Sequence, residues 1–177
     1  MTNQRAFFYD QQYCIGCHAC ETACKVKNKL DLEVNYRKVD SFEIIVNDRL
    51  VERHLSHSCM HCKDPQCMKV CPTNAYIKRE DGVVIHNPET CVGCGYCIYA
   101  CPHNAPQMNP RTKKVEKCNM CYELIDKGEE PACVRGCPVQ VLKIGDIEKM
   151  DADGLSKKAI GFKVFPSNPS IRFSKPS

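Results

Sequence analysis

The chain has 177 residues, a formal net charge of +4 and 43% hydrophobic residues, but sixteen of the hydrophobic residues are cysteines. Without them the apolar content is thin for a self-sufficient core, so the cysteines must contribute to folding through disulfides or bound metal. The charge is mild and the basic residues are scattered, which argues against a nucleic-acid partner. Apolar stretches such as Ile44 to Val46 are far too short to be a transmembrane segment.

The predicted elements are short, and they alternate between helical turns and hairpins. Asn47-Asp48 and Asp81-Gly82 supply the residues that adopt positive φ in tight hairpin turns. The tail from Asp151 is rich in Ser, Pro and Lys, and we expect it to be extended, docked or disordered, with no core of its own. In chain order, the predicted elements are a helix over Thr22–Lys29, a hairpin over Ser41–Val46 and Leu50–Leu55, a helical turn over Met68–Val70, a hairpin over Ala75–Lys78 and Val83–His86, a helical turn over Tyr122–Lys127 and a strand over Val139–Ile144.

The cysteines fall into four runs of four, and none is left over. Runs one and three have the spacing C-x2-C-x2-C-x3-C, with which bacterial ferredoxins hold 4Fe–4S clusters. Run two lengthens one gap to four residues, and run four lengthens the same gap to eleven. At four thiolates for each cluster, the sixteen cysteines predict four 4Fe–4S clusters. The runs are Cys14, Cys17, Cys20 and Cys24; Cys59, Cys62, Cys67 and Cys71; Cys91, Cys94, Cys97 and Cys101; and Cys118, Cys121, Cys133 and Cys137.

The fourth cysteine of each run is predicted to complete the cluster of a partner run. Two residues between cysteines form a tight loop that presents three thiolates to one cluster, whereas the fourth comes one helical turn later and faces away. Runs two and three pair by local ferredoxin symmetry, and runs one and four by analogy. The predicted ligand sets are Cys14, Cys17, Cys20 and Cys137 for cluster one; Cys118, Cys121, Cys133 and Cys24 for cluster two; Cys59, Cys62, Cys67 and Cys101 for cluster three; and Cys91, Cys94, Cys97 and Cys71 for cluster four.

This organisation predicts an α+β fold of two bacterial ferredoxin-like modules, each with two 4Fe–4S clusters, one inserted in the other. A cluster run, a hairpin and a second cluster run form the inner module, residues 58–102. The outer module comprises residues 1–57 and 103–150, and residues 151–177 are the extended C-terminal tail. Pro72, Pro102 and Pro138 follow the fourth cysteine of their runs and turn the chain there, whereas run one has Lys25 instead.

Two other uses of the cysteines are conceivable. A secreted disulfide scaffold is disfavoured because neighbouring cysteines in C-x2-C rarely bridge each other, and because Met1 to Asp10 has no signal peptide and no twin arginine. A structural zinc site is approached by the two cysteine pairs of run four, but three clear ferredoxin runs beside it favour iron.

Other polar residues lie inside or beside the cluster loops. His18 and His61 are expected to hydrogen-bond near a cluster or to pack, because cysteines fill every ligand position. Four lysines are expected to balance the negative charge of the clusters, or else to raise their reduction potentials or to dock an acidic partner. Four tyrosines are expected to shield the clusters from water. These residues are Lys25, Lys63, Lys69 and Lys117, and Tyr13, Tyr96, Tyr99 and Tyr122.

The chain resembles the iron–sulfur electron-transfer (beta) subunits of the complex iron–sulfur molybdopterin oxidoreductases, most closely the dimethyl sulfoxide reductase type. The resemblance covers essentially the whole chain, and the order of the four runs is specific for the broad family but only weakly specific for the substrate. Cys94 stands where nitrate-reductase relatives have tryptophan, which argues against that branch. The matching segments are Cys14–Lys25, Ser58–Pro65, Lys78–Gly82, Cys101-Pro102 and Lys117–Tyr122.

The resemblance implies a function and partners. It implies an electron-transfer subunit of anaerobic respiration that relays electrons between a membrane anchor with a quinol site, or another donor, and a large catalytic subunit with molybdopterin and Mo or W. Runs one and four would lie toward the catalytic subunit, and runs two and three toward the anchor. No catalytic site is expected on this chain, so it is not an enzyme by itself. We expect a location peripheral to the cytoplasmic membrane, on either side, with export alongside a twin-arginine partner as one route.

Three alternatives stay open from the sequence. One is a soluble polyferredoxin, which would be a mobile carrier. Another is the electron-transfer subunit of a soluble formate dehydrogenase or hydrogenase complex, with no quinone. A zinc-stabilised interaction module is the third, and colour separates it from the others because iron–sulfur protein is brown.

Overall fold

The computed structural model describes residues 4–175. The first three residues of the predicted outer module, 1–3, and the last two of the predicted tail, 176–177, lie outside the described residues. Short helices and strands are interspersed, which confirms the α+β class. The elements are β1 (Arg5–Tyr9), α1 (Ala19–Asn28), β2 (Arg37–Val46), β3 (Arg49–Ser58), α2 (Gln66–Lys69), β4 (Tyr76–Lys78), β5 (Val84–His86), α3 (Tyr96–Ala100), β6 (Gln107–Met108), β7 (Val115–Glu116), α4 (Tyr122–Ile125), α5 (Ala132–Arg135), β8 (Leu142–Asp146), α6 (Ile147–Ala152) and β9 (Ile171–Phe173).

A three-stranded sheet in the order β8-β1-β9 carries the largest core. The middle strand, β1, pairs antiparallel with β8 and parallel with β9. Phe7 and Tyr9 alternate along β1 and are both buried, as the two-residue period of a strand requires. They pack with Leu142, Ile171 and Phe173 from the two flanking strands. Sequence reasoning missed both β1 and β9, although the apolar run in residues 6–9 was a signal for the first.

The C-terminal tail is docked, which is one of the three states expected for it. Its strand β9 is buried along its whole length. The backbone of Ser170 donates to the carbonyl of Met60 at 2.9 Å, and that of Lys63 donates to Asn168 at 2.9 Å. Arg172 is buried and donates to Asp151 at 2.8 Å. The tail is therefore tied to the loop that carries run two.

Both predicted hairpins form. In the longer one, β2 and β3 pair from Arg37 opposite Ser58 to Val46 opposite Arg49, around a two-residue turn. Both turn residues have positive φ, 51° at Asn47 and 59° at Asp48, as a type I′ turn requires. The shorter hairpin pairs β4 with β5. A third antiparallel pair, β6 with β7, was not predicted.

The chain makes the same turn after the last cysteine of runs two, three and four. Each turn places a residue with φ of 50° to 54° three positions after the cysteine, and its N–H donates back to the cysteine carbonyl at 3.1 to 3.4 Å. Run one differs, because α1 continues through Lys25. The turn residues are Asn74 after Cys71, Asn104 after Cys101 and Gln140 after Cys137.

Helices bring the runs together in pairs: α1 packs on α5, and α2 packs on α3. Gly136 lets the first pair approach closely, since an added Cβ would lie 2.6 Å from the Cβ of Ala23. Consequently run one meets run four, and run two meets run three. Within residues 4–175, no helix has the length and apolar character needed to cross a membrane.

Candidate metal centres

All sixteen cysteines are free thiols in the structure, so they do not form a disulfide scaffold. Two of them, Cys17 in run one and Cys94 in run three, are exposed to solvent. The other fourteen are buried or partly buried. The most solvent-exposed cysteine of the pair formed by runs one and four is therefore Cys17, and that of the pair formed by runs two and three is Cys94.

One cavity in the protein is lined by Cys59, Cys62, Cys67 and Cys101. Three of these thiols come from run two and the fourth comes from run three, which is the set predicted for cluster three. Burial raises the pKa of Cys67 to about 12 and that of Cys62 to about 11, with smaller contributions from neighbouring thiolates. These thiols keep their protons until a cation binds, so metal binding there releases protons.

A second cavity is lined by Cys71, Cys91, Cys94 and Cys97, the set predicted for cluster four. In this set, one thiol comes from run two and the other three come from run three. Burial favours the neutral thiol of Cys71, but the N–H groups of Ala75 and Thr73 outweigh it and lower its pKa. The Ala75 donor lies 3.3 Å from the sulfur.

The thiols predicted for cluster two are also neighbours. Burial, followed by the charges of Cys133 and, more weakly, Cys121, raises the pKa of Cys24 to about 12. The pKa of Cys118 is raised by burial and then by Cys24. Such mutual effects require the thiols to lie within electrostatic reach of one another.

The set predicted for cluster one is more open. Cys14 and Cys20 are partly buried, pack on the main core, and both contribute to a raised pKa at Tyr9 after the larger effect of burial. Cys137 packs on the same core, whereas Cys17 is exposed. The structure therefore brings three of these four cysteines to one core and leaves the fourth at the surface.

Backbone N–H groups point at sulfur in several cluster loops. Gly93 donates to Cys91 at 3.4 Å and Met120 donates to Cys118 at 3.3 Å. Gly93 has a φ of 73°, and an added Cβ would lie 2.3 Å from the carbonyl of Lys113, so only glycine fits there. Hydrogen bonds of this kind stabilise thiolates and adjust the potentials of clusters that they hold.

Arg37 is a buried cation that sequence reasoning missed. It is 2% exposed and donates to Ser56 at 3.0 Å and to Ser58 at 3.1 Å. Burial disfavours its charged form, but nearby thiolates, led by Cys133 and Cys20, outweigh burial and raise its pKa. Sequence reasoning had no direct signal for it, because Arg37 and Ser58 lie outside the predicted hairpin and only the longer pairing in the structure brings them opposite each other. Arg37 therefore places a permanent positive charge among the thiols of runs one and four.

Of the four lysines singled out, Lys117 alone is buried, and its ammonium donates to the carbonyls of Val84 and Cys118. It lines the first cavity. Lys25 instead ties a loop through Leu32, and Lys69 pairs with Asp64 at 2.7 Å on the surface. The structure thus separates one buried charge beside thiols from lysines with ordinary structural roles.

Three of the four tyrosines do not behave as predicted. Tyr13, Tyr96 and Tyr99 are 69%, 60% and 89% exposed, so within this chain they do not shield a cluster from water. Tyr122 is partly buried and packs on the main core. The first three are large aromatic side chains that stand in solvent beside cysteine loops.

The donor set fits a 4Fe–4S cluster. Thiolates are the ligands of such clusters, and four line each of the two enclosed cavities. A single zinc ion at 2.3 Å from each sulfur would draw the thiols to about 3.8 Å from one another. Within residues 4–175, no three or more His, Cys, Asp or Glu side chains converge closely enough to hold one ion. These features define an iron–sulfur protein of the ferredoxin class.

Comparisons with known proteins give the same class. Residues 50–147 match the family model described as a 4Fe-4S dicluster domain, and residues 11–27 match that of a 4Fe-4S binding domain. The protein is 38% identical over 185 residues to the B subunit of anaerobic dimethyl sulfoxide reductase from Escherichia coli K12, a match that covers 100% of this sequence and 88% of that subunit.

Two further relatives are similar at the same level. The B subunit of polysulfide reductase from Wolinella succinogenes is 39% identical over 97% of this sequence and 88% of its own length. The formate dehydrogenase iron-sulfur subunit of Haemophilus influenzae is 36% identical over 80% of this sequence and 51% of its own length. The protein belongs to the iron–sulfur electron-transfer subunits of the dimethyl sulfoxide reductase type.

Proposed function

We propose that the chain holds four 4Fe–4S clusters in the order one, two, three, four, as an electron path across the subunit. The ligand sets are those predicted from the sequence, within an inner module of residues 58–102 inserted in an outer one. When bound, each cluster accepts and releases one electron at a time. The chain itself contributes thiolate ligands, N–H donors and buried cations, and we assign it no substrate-transforming site.

The observation that carries this order is the exposure of the cysteines. Cys17 and Cys94, the two exposed cysteines, belong to the sets for clusters one and four. Cys118 and Cys59, from the sets for clusters two and three, are both buried in one small apolar cluster with Ala105. Sets one and four therefore supply the accessible ends, and sets two and three supply the interior of the path.

Exposed apolar side chains surround both ends. Tyr13 and Ile15 flank the Cys17 loop and are 69% and 60% exposed. Val92, Tyr96 and Tyr99 flank the Cys94 loop and are at least 60% exposed. Exposed aromatic side chains are enriched where protein partners bind. We therefore propose one partner at each end of the path.

We assign these partners by analogy with the family. At the Cys17 end we place a large catalytic subunit with molybdopterin and Mo or W, and at the Cys94 end a membrane anchor, so that the protein is peripheral to the cytoplasmic membrane. The relatives are named as subunits of dimethyl sulfoxide reductase and polysulfide reductase, which supports a reductase complex of anaerobic respiration. The similarity to a formate dehydrogenase subunit favours a second candidate function, in which the chain is the electron-transfer subunit of a soluble complex with no anchor.

The test is oxygen-free purification of the native complex, with metal analysis and mass spectrometry of its partners. We expect about sixteen irons on this chain and a large partner that carries molybdenum or tungsten. Tyr13→Glu should release the large subunit, and Tyr96→Glu should release the anchor. Ile45→Glu, at the exposed tip of the long hairpin, is the matched control and should release neither.

Each failure has a distinct meaning. Iron without a stable partner would leave the mobile polyferredoxin. A large partner with no anchor, and no effect of Tyr96→Glu, would favour the soluble complex. Far fewer irons than sixteen in fully active complex would contradict the four-cluster path.

A further inference from the structure

His61 lies in the loop of run two and is completely buried. Its backbone has a φ of 41°, in the left-handed region. Its carbonyl accepts hydrogen bonds from the Gln4 side chain at 3.2 Å and from the Ser170 hydroxyl at 3.0 Å. The N-terminal segment and the docked tail therefore hold this residue in place, and the ring has one well-defined position.

The hydrogen bonds of the ring determine where its proton is. The backbone N–H of Val84 donates to Nδ1 of His61 at 3.1 Å, so Nδ1 carries no proton. An imidazole ring with an unprotonated nitrogen is neutral, so this hydrogen bond fixes the protonation state of His61. A neutral ring that accepts at Nδ1 must carry its proton at Nε2, which makes Nε2 a donor.

This donor has nothing in the protein to bond to. Nε2 of His61 is buried and has no hydrogen-bond partner among residues 4–175. The residue lines the cavity that contains Cys59, Cys62, Cys67 and Cys101. Buried polar hydrogens are almost always paired, so an orphan beside a cavity points to an acceptor that the protein chain does not supply.

We propose that the Nε2–H group of neutral His61 donates a hydrogen bond to a sulfur of the iron–sulfur cluster in this cavity and thereby favours the reduced state of that cluster. The proposal rests on the proposed occupancy of the cavity by cluster three. Reduction adds a negative charge, and a donor pointed at sulfur stabilises the more negative state more strongly. His61 is then a positioning residue that sets one potential in the path, rather than a ligand.

Two substitutions separate the two ring nitrogens. In His61→Asn the short side chain can still accept from Val84 at the position of Nδ1, but it has no group at the position of Nε2. In His61→Gln the amide reaches the position of Nε2 and restores the donor, but the acceptor for Val84 is lost. A role in packing or in holding the Val84 strand would make Gln the worse variant, whereas the proposed role makes Asn the worse one.

The measurement is a redox titration of the purified complex, followed by electron paramagnetic resonance. In His61→Asn we expect one of the four cluster steps to become harder to reduce by about tenfold in its equilibrium constant, which is about 59 mV for a one-electron couple. The other three steps should be unchanged. His61→Gln should restore the wild-type value. An unchanged titration in His61→Asn, or an equal shift of all four steps, would overturn the proposal.

A second readout is direct. In complex labelled with 15N-histidine, hyperfine spectra of the same cluster step should show coupling to one histidine nitrogen, and His61→Asn should abolish it. His18→Asn is the control, because that residue lies in the run-one loop with its ring in solvent, paired with Glu21 at 3.0 Å. Retention of the coupling in His61→Asn would also overturn the proposal. Failure of the proposed function would give a different result from failure of this proposal. If the four-cluster path were wrong, the wild-type complex itself would show fewer than four cluster steps or too little iron.

Discussion

Replacing Arg37 with methionine tests whether a buried cation is needed to hold iron–sulfur clusters in this fold. The guanidinium makes two hydrogen bonds, to Ser56 and Ser58, and lies 4.7 Å from the ring centroid of Phe7. Its strongest anionic neighbours are thiolates, led by Cys133 and Cys20. Bound clusters carry that negative charge, so Arg37→Met leaves buried anions without their partner.

The expected cost follows from these contacts. Removing one partner of a buried charge pair costs about 3–5 kcal/mol, and the methionine regains only part of the packing on Phe7. That is a large fraction of the roughly 5–15 kcal/mol that stabilises a typical domain. We therefore expect Arg37→Met to lose iron from the two clusters of runs one and four, while runs two and three keep theirs.

The assay is denaturation of the cluster-containing protein without oxygen. Unfolding is monitored through the absorbance of the clusters, and the iron content of each variant is measured. Arg37→Lys keeps the charge but not the planar fork, so it should retain more iron than Arg37→Met. Arg49→Met removes an exposed arginine at the hairpin tip and should change nothing. Wild-type iron content in Arg37→Met, with a free energy of unfolding within about 1 kcal/mol of wild type, would refute the reasoning.

Two more outcomes follow from the packing of α1 on α5 and from the composition of the core. Gly136→Ala should push these helices apart and lower the iron content, because the new Cβ would lie 2.6 Å from that of Ala23. Overpacking of this kind costs about 1–3 kcal/mol. If this contact is the cause, adding Ala23→Gly to the same chain should restore the iron content. Removal of iron by a chelator under reducing conditions should abolish most far-ultraviolet circular dichroism, because each apolar core contains cysteines that the clusters hold together; a cluster-free chain that keeps its spectrum and unfolds cooperatively would contradict this.

Features encoded locally were predictable from the sequence. The cysteine spacing predicts the loops, and the turn residues Asn47-Asp48 and Gly82 predict both hairpins at the correct positions. The pairing of runs two and three was predicted from ferredoxin symmetry and that of runs one and four by analogy, and the structure places α2 on α3 and α1 on α5. Ligation itself is not tested by these positions and stays a prediction.

Features that depend on contacts between distant segments were not predictable. Strand β9 has three residues and follows a stretch without regular periodicity, so only its pairing with β1 defines it. The importance of Arg37 depends on thiolates from runs one and four. These thiolates come from three separate segments, namely α1, α5 and the loop that precedes α4. The free donor on His61 depends on Val84, which lies 23 residues away in β5.

The parallel pairing of β9 with β1 has a consequence for the order of assembly in the cell. Phe7 lies opposite Ile171, so the middle strand of the main sheet acquires its second neighbour only after the ribosome has passed all four cysteine runs. Closing so long a loop is entropically unfavourable until other contacts have formed. All four cysteine runs are therefore synthesised before β9 can add the third strand of this sheet.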